Sequence, residues 1–261
     1  MMKGRGRLVW MFVVVLAAFS AGRAGAGPIL ATHVGNTDPA TEGWTLYNAS
    51  GGTVGGGTET TASGTYDYWQ VAHPSTLSSP NYYRYDLSPG DLDGDDWVAS
   101  ARIRVVDSRY HAWGLALPFG MFLIRDDWNT WGLLLGNDIV GVMDSHGHFA
   151  RSLPMDTRSD YHLYEVYFHA NGPGIADDTT DVFIDGTLVF PNVTRAEVPD
   201  ISSYGGSLRG VYIGSGSSGA YTIVNYGDLT LGPPTVPEPA TLGLFGLLAG
   251  GAAWRRRRRA S

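Results

Sequence analysis

The chain has no cysteine, and that absence removes disulfides, thiol nucleophiles, iron–sulfur clusters and Cys-type zinc centres at once. It has one lysine, Lys3, so beyond the first few residues every permanent side-chain positive charge is an arginine. Glutamate is scarce as well: between Gly27 and Val236 only Glu42, Glu59, Glu165 and Glu197 occur. In that span no segment keeps a 3.6-residue apolar period, which excludes an architecture of amphipathic helices. Apolar runs that approach the length of a membrane span occur only at the two ends.

Positive charge is short where most of the chain lies. Between Gly27 and Val236 nine arginines face twenty-four aspartates and glutamates, a net −15. The whole-chain value of −7 conceals this, because nine of the eighteen basic residues sit in the end segments. So acidic a surface repels nucleic acid and anionic lipid, and both are discarded as partners. It suits a solvated surface or matrix protein. About 200 residues suffice for one sizeable core, and without disulfides packing alone must hold it.

The ends are built for export. Lys3, Arg5 and Arg7 form a basic region, Leu8–Phe19 is apolar, and Ser20–Ala26 is rich in small residues. Ala24-Gly25-Ala26 fits the small-x-small pattern cut by signal peptidase, so residues 1–26 read as a signal peptide removed after Ala26. A retained N-terminal anchor is the alternative, and the small-residue run argues against it. At the other end stands Val236-Pro237-Glu238-Pro239, an extended stretch in which two prolines forbid helix continuation. Ala240–Trp254 follows, fifteen residues that are apolar enough to enter a bilayer but short of the roughly 20 that span one comfortably. Arg255, Arg256, Arg257, Arg258 and Arg259 close the tail and belong on the cytoplasmic side, which places everything before them outside the cytoplasm.

That tripartite tail, residues 236–261, resembles the PEP-CTERM sorting signal of Gram-negative, exopolysaccharide-producing bacteria. In that family Val-Pro-Glu-Pro precedes a short Gly/Ala/Leu helix and a terminal basic cluster, and Val236–Arg259 follows the pattern without a gap. The resemblance implies handling by an exosortase, a membrane cysteine enzyme that cuts at or near the motif. The expected path is export, transient anchoring in the inner membrane through the 240–254 helix, then the cell surface or extracellular matrix. An ordinary tail anchor is the alternative, but a permanent anchor calls for a longer span.

Residues 27–235 read as one all-β domain. Short alternating runs recur, punctuated by Gly, Asp, Asn and Pro, which is the pattern of antiparallel strands. Trp97, Ala99, Ala101, Ile103 and Val105 fall on one face of a strand. Phe119–Arg125 and Thr130–Leu135 flank a hairpin loop at Asp126-Asp127-Trp128-Asn129. Tyr164, Val166 and Phe168 alternate with Leu163, Glu165 and Tyr167. Val182 and Ile184 lead into Asp185-Gly186, the strongest turn signal in the chain, and Leu188–Phe190 return from it. Val211–Ile213 and Tyr221–Val224 read as a final pair, and residues 51–65 as a flexible Gly/Thr loop. About a dozen strands of this kind make a sandwich or barrel. Trp97, Ile103, Val166, Phe168, Val182 and Ile184 are the expected interior.

The order Asp160-Tyr161-His162-Leu163-Tyr164-Glu165-Val166, then Val182-Phe183-Ile184-Asp185-Gly186-Thr187-Leu188-Val189, then Val211-Tyr212-Ile213-Gly214, resembles laminin-G-like members of the concanavalin A-like lectin/glucanase superfamily. The resemblance implies a jelly-roll sandwich of two curved sheets, flanked here by a signal helix and an apolar sorting helix. Many members place an aspartate in the last strand region, where this chain has Asn225. Glucanases of the superfamily carry Glu-x-Asp-x-x-Glu on one strand, and no two glutamates here are close enough to form it.

Few residues stand out as chemistry. Glu165 lies with Tyr167 on the polar face of its strand and has Leu163 and Tyr167 at its same-face neighbours, so it lacks a local acid–base partner. Trp128 and Trp131, at the hairpin tip, and Tyr82, Tyr83 and Tyr85 are candidates for stacking on sugar rings. Asp91, Asp93 and Asp95 offer alternate carboxylates that fit either a calcium ion or a plain acidic turn, the simpler reading. His146 and His148 share a loop with Asp144 and lack a third ligand for zinc. Gly205-Gly206 and Gly214-Ser215-Gly216 read as β-turns. The expected function is therefore a non-catalytic, exported protein that binds extracellular polysaccharide and needs no cofactor. The alternatives are a diverged glycoside hydrolase or lyase, and a purely structural matrix protein.

Overall fold

Alternation of buried and exposed side chains organises the strands, as the Trp97–Arg109 run shows: its odd-numbered residues from Trp97 to Val105 are buried and the even-numbered ones between them half-exposed. The structure is a computed structural model that describes residues 28–48, 51–73, 81–92, 96–109, 120–126, 128–146, 148–171, 177–200, 209–215 and 221–234. The signal segment with Ala24 and Ala26, the sorting tail, Asp93 and Asp95 lie outside these.

Fifteen strands occur among the described residues: β1 (Ala31–His33), β2 (Thr45–Asn48), β3 (Thr53–Thr60), β4 (Thr65–His73), β5 (Asn81–Asp86), β6 (Trp97–Arg109), β7 (Gly120–Arg125), β8 (Thr130–Gly136), β9 (Ile139–Met143), β10 (Phe149–Pro154), β11 (His162–His169), β12 (Thr179–Ile184), β13 (Thr187–Thr194), β14 (Gly210–Ser215) and β15 (Tyr221–Gly232). A 3-10 turn at Pro39–Glu42 is capped by the Asp38 side chain, which accepts the Ala40 N–H at 2.9 Å. One sheet runs β13-β12-β11-β6-β15-β4-β3, with β1 added beside β15; the other runs β10-β9-β8-β7-β14-β5-β2. Every pairing is antiparallel. The expected all-β antiparallel sandwich is thus the observed fold, with one apolar core between its sheets.

That core contains all six residues expected inside. Trp97 stacks on Phe168 at 5.0 Å and 2°, and Trp131 meets Phe168 edge-on at 5.4 Å. Tyr226 bolts the sheets together. From β15 in one sheet its hydroxyl accepts the Gly214 N–H (2.8 Å) and reaches the carbonyls of Met121 (2.9 Å) and Gly214 (3.0 Å) in the other. The β12–β13 hairpin turns at Asp185 (φ 50°) and Gly186 (φ 75°), the paired positive dihedrals of a type I′ turn.

Three expectations need correction. Residues 53–60 are not a loop but edge strand β3, paired with β4 along its whole length. Two of its three glycines answer to crowding: a Cβ at Gly56 would sit 2.5 Å from the Asn36 carbonyl and 3.0 Å from the Trp69 ring, and one at Gly57 2.7 Å from the Tyr68 hydroxyl. Val211–Ile213 and Tyr221–Val224 do not pair, because β14 lies between β7 and β5 in one sheet and β15 beside β6 in the other. Gly214 and Ser215 are strand residues of β14 rather than a turn.

Candidate functional site

The sequence-predicted residues do not converge. Trp131 is not at an exposed hairpin tip but wholly buried in the core, where its Nε1 donates to Asp126 Oδ2 at 2.7 Å. A strand on which every residue from Thr130 to Gly136 is buried turns this side chain inward. Trp128, three residues earlier, is half-exposed, and Asp126 Oδ1 fixes its loop by accepting the Trp128 and Asn129 N–H groups at 2.6 Å each. Glu165 and Tyr167 stand on β11 in the other sheet, with the Tyr167 hydroxyl donating to Glu165 Oε1 at 3.3 Å. Tyr83 and Tyr85 face the core, while Tyr82 faces away from it.

Other candidates serve local structure. Asp91 Oδ2 accepts the Ser88 N–H at 2.7 Å and closes its own turn. Asp144 Oδ1 takes the N–H groups of His146 and His148 at 2.8 Å each, leaving both imidazoles exposed. Among the described residues no group of three or more His, Asp or Glu is placed to hold a metal.

Two clusters that sequence reasoning missed lie on the outer faces. On the eight-stranded sheet, the β3–β4 hairpin curls over the outside and drops Glu59 among residues from three other strands. Arg104 Nη1 donates to Glu59 Oε2 at 2.7 Å, and Asn225 Nδ2 donates to Oε1 at 2.9 Å. Gln70 Nε2 in turn donates to Asn225 Oδ1 at 2.9 Å. The Asn225 amide both donates to Glu59 and accepts from Gln70, which an ionised aspartate, an acceptor only, does not do. Burial works to raise the Glu59 carboxyl, but contact with the Tyr161 hydroxyl and the bonds from Asn225 and Arg104 outweigh it and hold the group below its ordinary range. Tyr161, buried beside it, is pushed upward by desolvation and then by Glu59.

The hairpin is latched in place. Ser63 Oγ and Thr61 Oγ1 donate to Asp160 Oδ1 at 2.6 and 2.5 Å, and these bonds draw the Asp160 carboxyl down to about 2. Beside this floor opens a groove of about 450 Å³ lined by Arg104, Val106, Asp138, Asp156, Arg158 and Ser159. Asp156 is likewise held low, by the Ser159 hydroxyl first and then the Arg158 and Ser159 N–H groups. The carboxylates around the groove with shifted values therefore stay ionised at neutral pH.

The second cluster occupies the outer face of the seven-stranded sheet. Met121, Leu123, Leu134, Met143 and Tyr212 are buried there, apart from the main core. The sequence signal was the unbroken apolar run of Met121–Ile124, since strands apolar on both faces are covered on both. Arg84 and Arg125 lie over the rings of Tyr47 and Tyr212, each guanidinium carbon 4.6 Å from its ring centre.

Residues 235–258 match the family model of the PEP-CTERM protein-sorting motif. The chain carries that sorting motif. It implies an exported protein, sorted by an exosortase and held transiently in a membrane. Among the described residues no helix is long and apolar enough to cross one, and the 240–254 segment lies outside them. No curated protein matches the PEP-CTERM chain. Solved structures similar to it include an endo-β-1,4-glucuronan lyase from the fungus Trichoderma reesei, with TM-score 0.46, 11% identity, and coverage of 79% of this chain and 96% of that one. The T. cruzi calreticulin globular domain gives TM-score 0.46 at 12% identity, over 86% and 94% of the two chains. An endo-1,3-β-glucanase from Streptomyces sioyaensis gives 0.40 at 8%, over 80% and 98%. Likenesses this distant say nothing about chemistry.

Proposed function

We propose that the PEP-CTERM protein is a surface or matrix component of a Gram-negative bacterium whose sandwich binds extracellular polysaccharide and does not cleave it. In this reading signal peptidase acts at Ala26, residues 27–235 form the exported domain, and an exosortase acts at Val236–Pro239. The groove beside Glu59, Asn225, Gln70 and Arg104 takes the glycan, with the half-buried Gln70 and the groove-lining Arg158 and Ser159 as hydrogen-bond partners for sugar hydroxyls.

One observation supports binding over hydrolysis: Glu59, the carboxylate set into this floor, is held ionised by its partners. A glycosidase needs one carboxyl with a raised pKa to protonate the leaving oxygen, and Glu59, Asp160 and Asp156 are all lowered. The reading uses no cofactor.

A glycan array probed with the purified protein tests it. Binding to at least one polysaccharide, weakened in Gln70→Ala, is expected, with no release of reducing ends or unsaturated products. Glu165→Gln is expected to leave folding and binding intact. Measurable cleavage that disappears in Glu59→Gln or Glu165→Gln would establish the hydrolase or lyase reading instead. Absence of any glycan binding would leave a structural matrix role.

A further inference from the structure

The outer face of the eight-stranded sheet turns apolar away from the Glu59 groove. Phe183 on β12 stands opposite Leu188 on β13, and Tyr167 on β11 stands opposite Val98 on β6. Tyr167 and Phe183 meet edge to face at 5.1 Å and 66°. None of the four belongs to either buried cluster: Leu188 is 44% exposed and the other three are half-buried. They form a strip across four neighbouring strands, about 14 Å long at a strand spacing of about 4.8 Å. Glu165 and Ser100, themselves paired, border the strip on one side, and Asp181 and His169 border it on the other.

The permanent charges on these borders are negative, in a segment of net charge −15. Arg102, on the same face of β6, reaches over β15 instead and lies above the Tyr66 ring of β4 at 5.3 Å. Neighbours already hold both carboxylates. Glu165 Oε1 accepts the Tyr167 hydroxyl at 3.3 Å, and Asp181 accepts the Asn192 N–H at 2.8 Å and faces His169 at 3.2 Å.

We propose that this strip is a second subsite for the polysaccharide of the Glu59 groove, and that the polysaccharide is a neutral chain long enough to reach both. The inference rests on the glycan reading of that groove. A sugar ring lays its C–H face on an aromatic ring and turns its hydroxyls to polar groups at the edge. The accessible rings of Tyr167 and Phe183, bordered by Glu165, Ser100 and Asp181, supply both. An anionic polymer meets like charge here. A protein partner calls for a broad desolvated centre, and one row of side chains between polar borders does not give it. Val98 and Arg104 share the outer face of β6 and lie about 20 Å apart at about 3.3 Å per residue, so one extended chain of several sugars covers groove and strip together.

Isothermal titration of the full-length protein in mild detergent tests the proposal, with mixed-linkage β-glucan, galactomannan, dextran and polygalacturonate as probes, and then short oligosaccharides cut from the polymer that binds best. A neutral polymer is expected to bind best, and more tightly than its short fragments. Tyr167→Ala and Phe183→Ala are each expected to weaken the polymer about three- to tenfold and to leave the short fragments, held in the groove, unchanged. Tyr167→Phe keeps the ring and is expected to retain most of the polymer affinity. Gln70→Ala, at the groove, should weaken polymer and fragments alike. Tighter binding of polygalacturonate, or a polymer affinity indifferent to both alanine variants, would overturn the second subsite and leave groove binding standing. Failure of every polymer to bind would overturn the glycan reading and the subsite with it. If one alanine variant fails to fold, the other decides alone.

Discussion

Replacing Tyr226 by phenylalanine tests how the two sheets are held together. The side chain is fully buried, and its hydroxyl accepts the Gly214 N–H and shares its one proton between the Met121 and Gly214 carbonyls of the facing sheet. Removing the oxygen leaves the Gly214 N–H without that acceptor in a dry site, which costs about 1–3 kcal/mol. The Met121 and Gly214 carbonyls, in strands paired on both sides, lose less. An expected loss of about 2 kcal/mol corresponds, in a domain of roughly 200 residues, to a Tm lower by about 4–8 °C. Burial pushes the phenol far above its ordinary range, so it stays protonated and the loss is the same at pH 5 and pH 9. Urea unfolding followed by tryptophan fluorescence gives the free energy, and scanning calorimetry the Tm. Tyr221→Phe, at a half-exposed position on the same strand, is the control, expected to stay within about 0.5 kcal/mol. A Tyr226→Phe variant as stable as its parent would refute the account of this residue as an inter-sheet tie.

Further outcomes follow from other sites. Arg151 bonds Glu197 through Nε and Nη2 at 2.7 and 2.8 Å and, against partial burial, lowers its carboxyl to about 2 from an ordinary 4.5. A depressed pKa stabilises the fold above the unfolded value, so that contribution is present at neutral pH and fades as pH falls from 4.5 toward 2; urea midpoints across this range should fall less steeply in Glu197→Gln. Trp131→Phe forfeits the bond to Asp126 and opens a cavity, and is expected to cost about 2–4 kcal/mol in the same assay. Intact mass of protein extracted from the cell surface should show a chain that begins near Gly27 and lacks Arg255–Arg259; a retained arginine block would leave the tail-anchor reading.

Strand identity was legible wherever alternation was clean. Trp97–Val105 and Tyr164–Phe168 read correctly because each buries one face and exposes the other. The Asp185-Gly186 turn read correctly because few residues other than Asp, Asn and Gly accept positive φ twice in succession. β3 was illegible because Thr53–Thr60 is mostly Gly and Thr, and Gly56 and Gly57 are set by the neighbouring rings of Trp69 and Tyr68 rather than by loop freedom. Trp131 misled because a hairpin tip and a core position are separated by one residue, and period-two geometry sends neighbours to opposite faces. The Glu59 cluster on the outer face had no signal along the chain. Glu59, Gln70, Arg104 and Asn225 come from four strands, and no spacing along the chain brings them together.

The position of β15 bears on the timing of export. It is the final strand of the sandwich, yet it sits between β6 on one side and β4 and β1 on the other, and Leu30 N–H bonds the Leu231 carbonyl at 2.8 Å. The first strand therefore waits for the last. A chain delivered through a membrane amino end first cannot close this sheet until Gly232 has emerged, and the sorting motif begins at residue 235. The moment at which the domain becomes foldable is thus the moment at which the tail reaches the membrane. Arrival of the signal and completion of the fold are set within a few residues of each other by strand order alone.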